Sequence, residues 1–149
     1  MLTIKRTDAT DPHFRELVKL LDADLAIRDG DDHAFYNAIN QAADLRHTIV
    51  AYSDGVAVAC GALKVFEDGV MEIKRMYVLP SHRRQGIARQ VLEAVEAWAR
   101  ELNQKACVLE TGRNQPEAIA LYRRSGYAQT PNYGKYAGVE NSLCFRKEL

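Results

Sequence analysis

The sequence predicts an α/β fold: a mixed sheet with helices on both faces, in the element order βααβββαβαββ. Three observations carry that expectation. Strand-like and helix-like periods alternate along the chain, a hairpin signal opens a run of three strands, and a strongly amphipathic segment follows the third of them. No repeat, low-complexity tract or Pro/Gly/Ser-rich linker interrupts the 149 residues, so a single domain over residues 1–149 is expected.

The elements follow in order. Met1-Leu2-Thr3-Ile4-Lys5-Arg6 alternates as a strand does. Asp11-Pro12 then opens a helix whose apolar positions Phe14, Leu17, Val18, Leu20, Leu21 and Leu25 follow a 3.6-residue period. Arg28-Asp29-Gly30-Asp31-Asp32 reads as a turn, and a second helix is predicted over residues 32–43. Thr48-Ile49-Val50-Ala51-Tyr52 and Val56-Ala57-Val58-Ala59-Cys60 flank Ser53-Asp54-Gly55, which makes them an antiparallel hairpin. Its second strand continues to residue 66, and Asp68-Gly69 turns the chain into a third strand over residues 70–79. A helix over residues 86–103 is predicted to bury Ile87, Val91, Leu92, Val95, Trp98, Ala99 and Leu102 and to expose Arg89, Glu93, Glu96 and Arg100. A strand over residues 106–110, a short helix over 116–124 stopped by Gly126, and strands near Tyr127 and over 142–147 complete the chain.

Composition narrows the function. Twenty basic residues balance twenty acidic ones, so no bulk field exists to hold nucleic acid or an anionic membrane, and a small partner is expected. The first residues lack the apolar run of a signal peptide and no stretch reaches spanning length, which predicts a cytoplasmic protein. Cys60, Cys107 and Cys144 lie far apart in apolar or alternating segments and read as buried small hydrophobes, with Cys144 the best placed of the three for a reactive thiol. No metal-ligand set is visible.

Three segments carry chemistry. The turn Ser81-His82-Arg83-Arg84-Gln85-Gly86-Ile87-Ala88 joins a strand to a helix, where unpaired N–H groups, small residues and two arginines suit a phosphate. Neither G-x-G-x-x-G nor G-x-x-x-x-G-K-[ST] occurs. The strand before the turn, Met71-Glu72-Ile73-Lys74-Arg75-Met76-Tyr77-Val78, is central yet carries three charges, and period 2 puts Glu72, Lys74 and Met76 on one face, with Glu72 looking into a cleft. In the third segment Asn114 and Glu117 have capping-box spacing, Pro116 fits the first turn, and Tyr122 follows inside the helix. Each has a plainer reading as well: a solvated arginine loop, a Glu72–Lys74 ion pair on a solvated face, and a packed Tyr122.

Together these segments resemble the GCN5-related N-acetyltransferase (GNAT) family, from about Val50 to Tyr127. The resemblance implies a GNAT-like, mostly antiparallel sheet. Arg83-x-x-Gly86-x-Ala88 matches the family's turn for the CoA pyrophosphate, so Arg83, Arg84, Gln85, Gly86, Ile87 and Ala88 are implied to bind acetyl-CoA. Glu72 stands where a strand glutamate often acts as general base, and the backbone of Met76, Tyr77 and Val78 is implied to face the acetyl and pantetheine groups. Ala118-Ile119-Ala120-Leu121-Tyr122 with Gly126-Tyr127 is similar to the segment that supplies the general acid, here Tyr122. Where many members place an asparagine three residues before the helix alanine, this chain has Gln115 with Asn114 beside it, so the CoA contact there falls to Asn114 or Gln115.

The implied activity is direct transfer of an acetyl group from acetyl-CoA to a primary amine, with no metal. A small or amino-acid-like acceptor is favoured, homodimerisation being left open. Asp29-Gly30-Asp31-Asp32 could attract a cation, Tyr133, Gly134 and Tyr136 could pack a substrate, and Lys74 or Arg75 could bind a carboxylate. Two rivals remain: an acyltransferase with another acyl-CoA or an oxygen acceptor, and a non-catalytic CoA-binding sensor.

Overall fold

A computed structural model describes residues 1–30 and 45–149. The helix predicted over residues 32–43, and Asp31 and Asp32 of the acidic turn, lie outside the described residues. The observed elements are β1 (Leu2–Thr7), α1 (Pro12–Asp29), β2 (His47–Ser53), β3 (Val56–Glu67), β4 (Val70–Val78), α2 (Ile87–Glu101), β5 (Ala106–Gly112), α3 (Pro116–Arg124), β6 (Ala128–Thr130) and β7 (Ser142–Glu148). Single 3-10 turns sit at Pro80–His82 and Gly134–Tyr136.

One seven-stranded sheet runs in the order β1-β2-β3-β4-β5-β7-β6. Its pairings are antiparallel except β4 with β5. This is the mixed, mostly antiparallel α/β sheet with helices on both faces. On one face α2 and α3 cover Ile49, Val58, Leu63, Ile73, Leu109 and Phe145. On the other, Phe14, Leu17 and Leu21 of α1 pack on Val50, Cys60, Ala62 and Tyr77.

Local chemistry explains the helix starts. The Asp11 carboxylate accepts hydrogen bonds from the backbone N–H groups of His13 and Phe14, and Pro12 occupies the first turn of α1. The helix then continues through Arg28 and Asp29, which the sequence placed in a turn, and stops at Gly30 with φ +54°. Within α1, Leu20 is exposed instead of buried. The capping box expected at α3 does not form. Gln115 occupies the N-cap without a side-chain bond, and the Asn114 amide donates to the Arg28 carbonyl at 3.1 Å. A partner distant in sequence outcompetes the local cap.

Glu96 corrects another expectation. It is 3% exposed, because its carboxylate accepts from the Tyr127 hydroxyl at 2.7 Å and the Lys147 ammonium at 3.1 Å. The α2 position that periodicity assigns to solvent is covered here by Tyr127 and the last strand.

Candidate active site

The cleft comes from strand pairing. Parallel pairing of β4 with β5 holds Val70 to Ala106, Met71 to Cys107 and Glu72 to Val108, and the pairing ends there. Both strands run on, β4 to Val78 and β5 to Gly112. The gap is lined by Glu72, Ile73, Lys74, Arg75 and Met76 from β4, by Glu110, Thr111 and Gly112 from β5, and by Tyr122 from α3. Leu21 and Leu25 of α1 and Tyr136 wall it. Its volume is about 110 Å³.

On its other edge β4 carries a bulge. Cys60 pairs with Tyr77 and Ala62 with Lys74, so Arg75 and Met76 together oppose Gly61. Arg75 takes φ +59° there, and its carbonyl accepts from the Cys60 thiol. The extra residue reverses the alternation of side chains. Glu72 and Lys74 therefore share a face, but Met76 does not: it lies on the α2 side, where a Cβ on Gly61 would sit 2.7 Å from its sulfur. The expected Glu72, Lys74, Met76 row is broken after Lys74.

Glu72 is 8% exposed. Its Oε2 accepts from the Tyr133 hydroxyl at 2.7 Å, and its Oε1 lies 3.8 Å from the Lys74 ammonium. The Glu72–Lys74 pair is thus buried, not solvated. Burial pushes the Tyr133 hydroxyl well above the ordinary tyrosine range, and the adjacent Glu72 carboxylate adds to the rise. Burial also lowers the Lys74 ammonium, against the raising influence of Glu72 and Glu110. The loop presenting Tyr133 is clasped by Asn132, whose Nδ2 lies 3.1 Å from the Tyr136 carbonyl and 3.0 Å from those of Val139 and Ser142.

Tyr122 is buried, packed edge-on to Tyr127 at 5.9 Å and tilted against Phe145 at 6.4 Å. Burial raises its hydroxyl above the ordinary range, and the Glu110 carboxylate raises it further. It stays protonated near neutrality and suits a proton donor.

The phosphate turn lies at the far end of β4. Gly86 takes φ +77° as the N-cap of α2 and provides no side-chain cap, and a Cβ there would meet nothing within 4 Å. Arg84 and Gln85 are exposed, Arg84 with φ +64°. The Arg83 Nε donates to the Val78 carbonyl at 2.9 Å, and its guanidinium stacks over Tyr77 at 5.5 Å, so Arg83 braces the turn. Tyr77 and Ile87 point into the core, and Ala88 is partly buried beside it. Asn114 ties the end of α1, whereas Gln115 faces the cleft. Arg28 reinforces that tie through its ion pair with Glu117, and Asp24 of its own helix steadies it at 3.3 Å.

Of the acceptor candidates, Tyr136 and Lys74 line the cleft, and Tyr133 reaches Glu72 instead of open space. Arg75 is paired with Asp22 at 2.6 Å. Sequence reading missed Glu110, although a charge closing the apolar run Ala106-Cys107-Val108-Leu109 is the same kind of signal that singled out Glu72. The three cysteines are buried free thiols, each raised by burial, Cys144 to about 11 and Cys60 and Cys107 to about 12. Among the described residues no His, Cys, Asp and Glu group could hold a metal, and no helix is long and apolar enough to cross a membrane.

Comparison with known proteins adds four findings. The profile of the acetyltransferase (GNAT) family matches residues 14–127. An IAA acetyltransferase of Azospirillum brasilense is 41% identical over 102 residues, covering 68% of this chain and 67% of that protein. Among solved structures, a Klebsiella pneumoniae protein assigned to the acyl-CoA N-acyltransferases superposes with a TM-score of 0.84 at 33% identity, over 100% of this chain and 98% of its own. An Elizabethkingia anophelis GNAT family acetyltransferase with acetyl-CoA bound shares the fold at a TM-score of 0.70 and 20% identity, over 99% of this chain and 98% of its own.

Proposed function

The chain belongs to the GNAT acetyltransferase family, and from that premise we propose that it moves the acetyl group of acetyl-CoA directly onto the primary amine of a small acceptor. The observation that carries this reading is the opening between β4 and β5, lined by a carboxylate, Glu72, and a protonated phenol, Tyr122. That is the acid–base pair an acyl transfer needs.

An alkyl ammonium has a pKa of about 10 and must lose a proton before it can attack. Glu72 accepts that proton, directly or through one water. The amine nitrogen bonds to the thioester carbon, and the C–S bond breaks with its electron pair going to sulfur. The N–H of Met76, beside the bulge, stabilises the oxyanion. Tyr122 gives its proton to the thiolate of CoA, the second proton shed by the nitrogen as the amide forms restores the phenol, and the proton on Glu72 passes to solvent. Backbone groups of Tyr77 and Val78 hold the pantetheine arm, while Arg83, Arg84, Gln85, Gly86, Ile87 and Ala88 present N–H groups and charge to the pyrophosphate. Gln115 supplies a further CoA contact from the start of α3.

The test is acetyl-CoA turnover, read by thiol release, against a panel of primary amines. Glu72→Gln should keep acetyl-CoA affinity and lose about 100-fold or more in rate near neutral pH. An unchanged rate across pH removes Glu72 as the base.

A further inference from the structure

Lys74 is a cleft cation that neither the turn before α2 nor the acid–base pair uses. Its side chain is 6% exposed and lies in the cleft wall. Its ion pair with Glu72 Oε1 is 3.8 Å long, beyond hydrogen-bond reach, while Tyr133 occupies the other oxygen of Glu72. An ammonium carries three donors, and among the described residues no hydrogen-bond acceptor is recorded for this one. Arg75, the other basic residue of the cleft, is engaged by Asp22 at 2.6 Å. A buried cation with open donors in a cavity is set to receive an anion.

We infer that Lys74 binds the carboxylate of the acceptor, and that the acceptor class is an apolar α-amino acid. The inference rests on reading the cleft as the acceptor site of an amine acetyltransferase. Geometry selects the α-position. Glu72 and Lys74 are adjacent on one face of β4, so the cleft recognises opposite charges side by side. In an α-amino acid a single carbon separates the ammonium from the carboxylate, whereas a diamine or a long ω-amino acid holds its charges apart or offers no anion. Glu110 in the same wall adds negative charge to the cleft. Leu21, Leu25 and Ala118 give the side chain an apolar surface. Burial lowers the Lys74 ammonium more than the neighbouring Glu72 and Glu110 carboxylates raise it.

The experiment compares leucine with leucinamide and with 3-methylbutylamine as acceptors at saturating acetyl-CoA. The same set is run for methionine, its amide and 3-(methylthio)propylamine. The wild-type protein should prefer each amino acid in kcat/KM over both of its analogues. Lys74→Gln should reduce that preference about 10-fold or more, mainly through KM, the size expected for losing a hydrogen bond to a charged group. Thermal melts check that the variant is folded. Should it not be, the wild-type ranking decides by itself. Acetylation of amines without a preference for the carboxylate overturns the Lys74 assignment and leaves the transferase standing. Absence of transfer to every amine overturns both.

Discussion

At the scale of single residues, the site rests on charges and phenols placed where apolar packing would ordinarily exclude them. Glu72 is kept as a buried acceptor by the Tyr133 hydroxyl, and that contact joins residues 61 positions apart. Tyr122 is held by aromatic neighbours on two sides. Tyr122→Phe should therefore preserve the packing and remove only the hydroxyl group that donates the proton. We expect kcat to fall about 100-fold, with CoA affinity measured by calorimetry unchanged. An equal loss of CoA binding would instead make Tyr122 part of the cofactor wall. Glu72 was legible in the sequence because a charge inside a central strand is anomalous. Glu96 was not, because a glutamate at an outward helical position looks ordinary until Tyr127 and Lys147 are brought over it.

At the scale of elements, the turn between β4 and α2 combines a left-handed glycine with a helix N-terminus. Gly86 has φ +77° and open space above it, so a side chain there strains the backbone and stands where an anion would approach. Gly86→Val should weaken acetyl-CoA binding about 10-fold or more, since an L-residue in that conformation costs about 1–2 kcal/mol before any clash with the ligand. Calorimetry with CoA reads the affinity, and an unaltered value removes the turn from the binding site. Element boundaries followed the sequence closely because capping and turn chemistry are local: Asp11 starts α1, and Asp54-Gly55 closes the β2–β3 hairpin. The failures have a local cause too. The bulge at Arg75 adds one residue and sends Met76 to the other face, and Arg28 draws Asn114 away from the cap of α3.

At the scale of the whole molecule, the last strand is fastened to α2 by the Glu96–Lys147 pair, whose carboxylate is buried. Lys147→Met should destabilise the fold by about 3 kcal/mol, because it leaves Glu96 with only the Tyr127 hydroxyl. For a chain of this size that is a fall in Tm of about 6–12 °C. Adding Glu96→Gln, which removes the stranded charge and keeps an acceptor for Tyr127, should recover most of the loss. A double variant no better than the single one would mean that packing of the Lys147 stem, not charge, is what matters.

The sequence by itself determined most of the described elements and singled out the turn before α2, Glu72 and Tyr122 as candidates, because periodicity, capping residues and charges out of place are written in short stretches of chain. Only the tertiary structure decided that β4 and β5 part beyond Glu72, that Glu110 joins the cleft, that Tyr133 bonds the Glu72 carboxylate, that Arg75 is committed to Asp22, and that Lys74 is left facing the cavity. Those facts depend on which strands become neighbours and where their register ends. They are properties of contacts between distant segments, which no local pattern encodes.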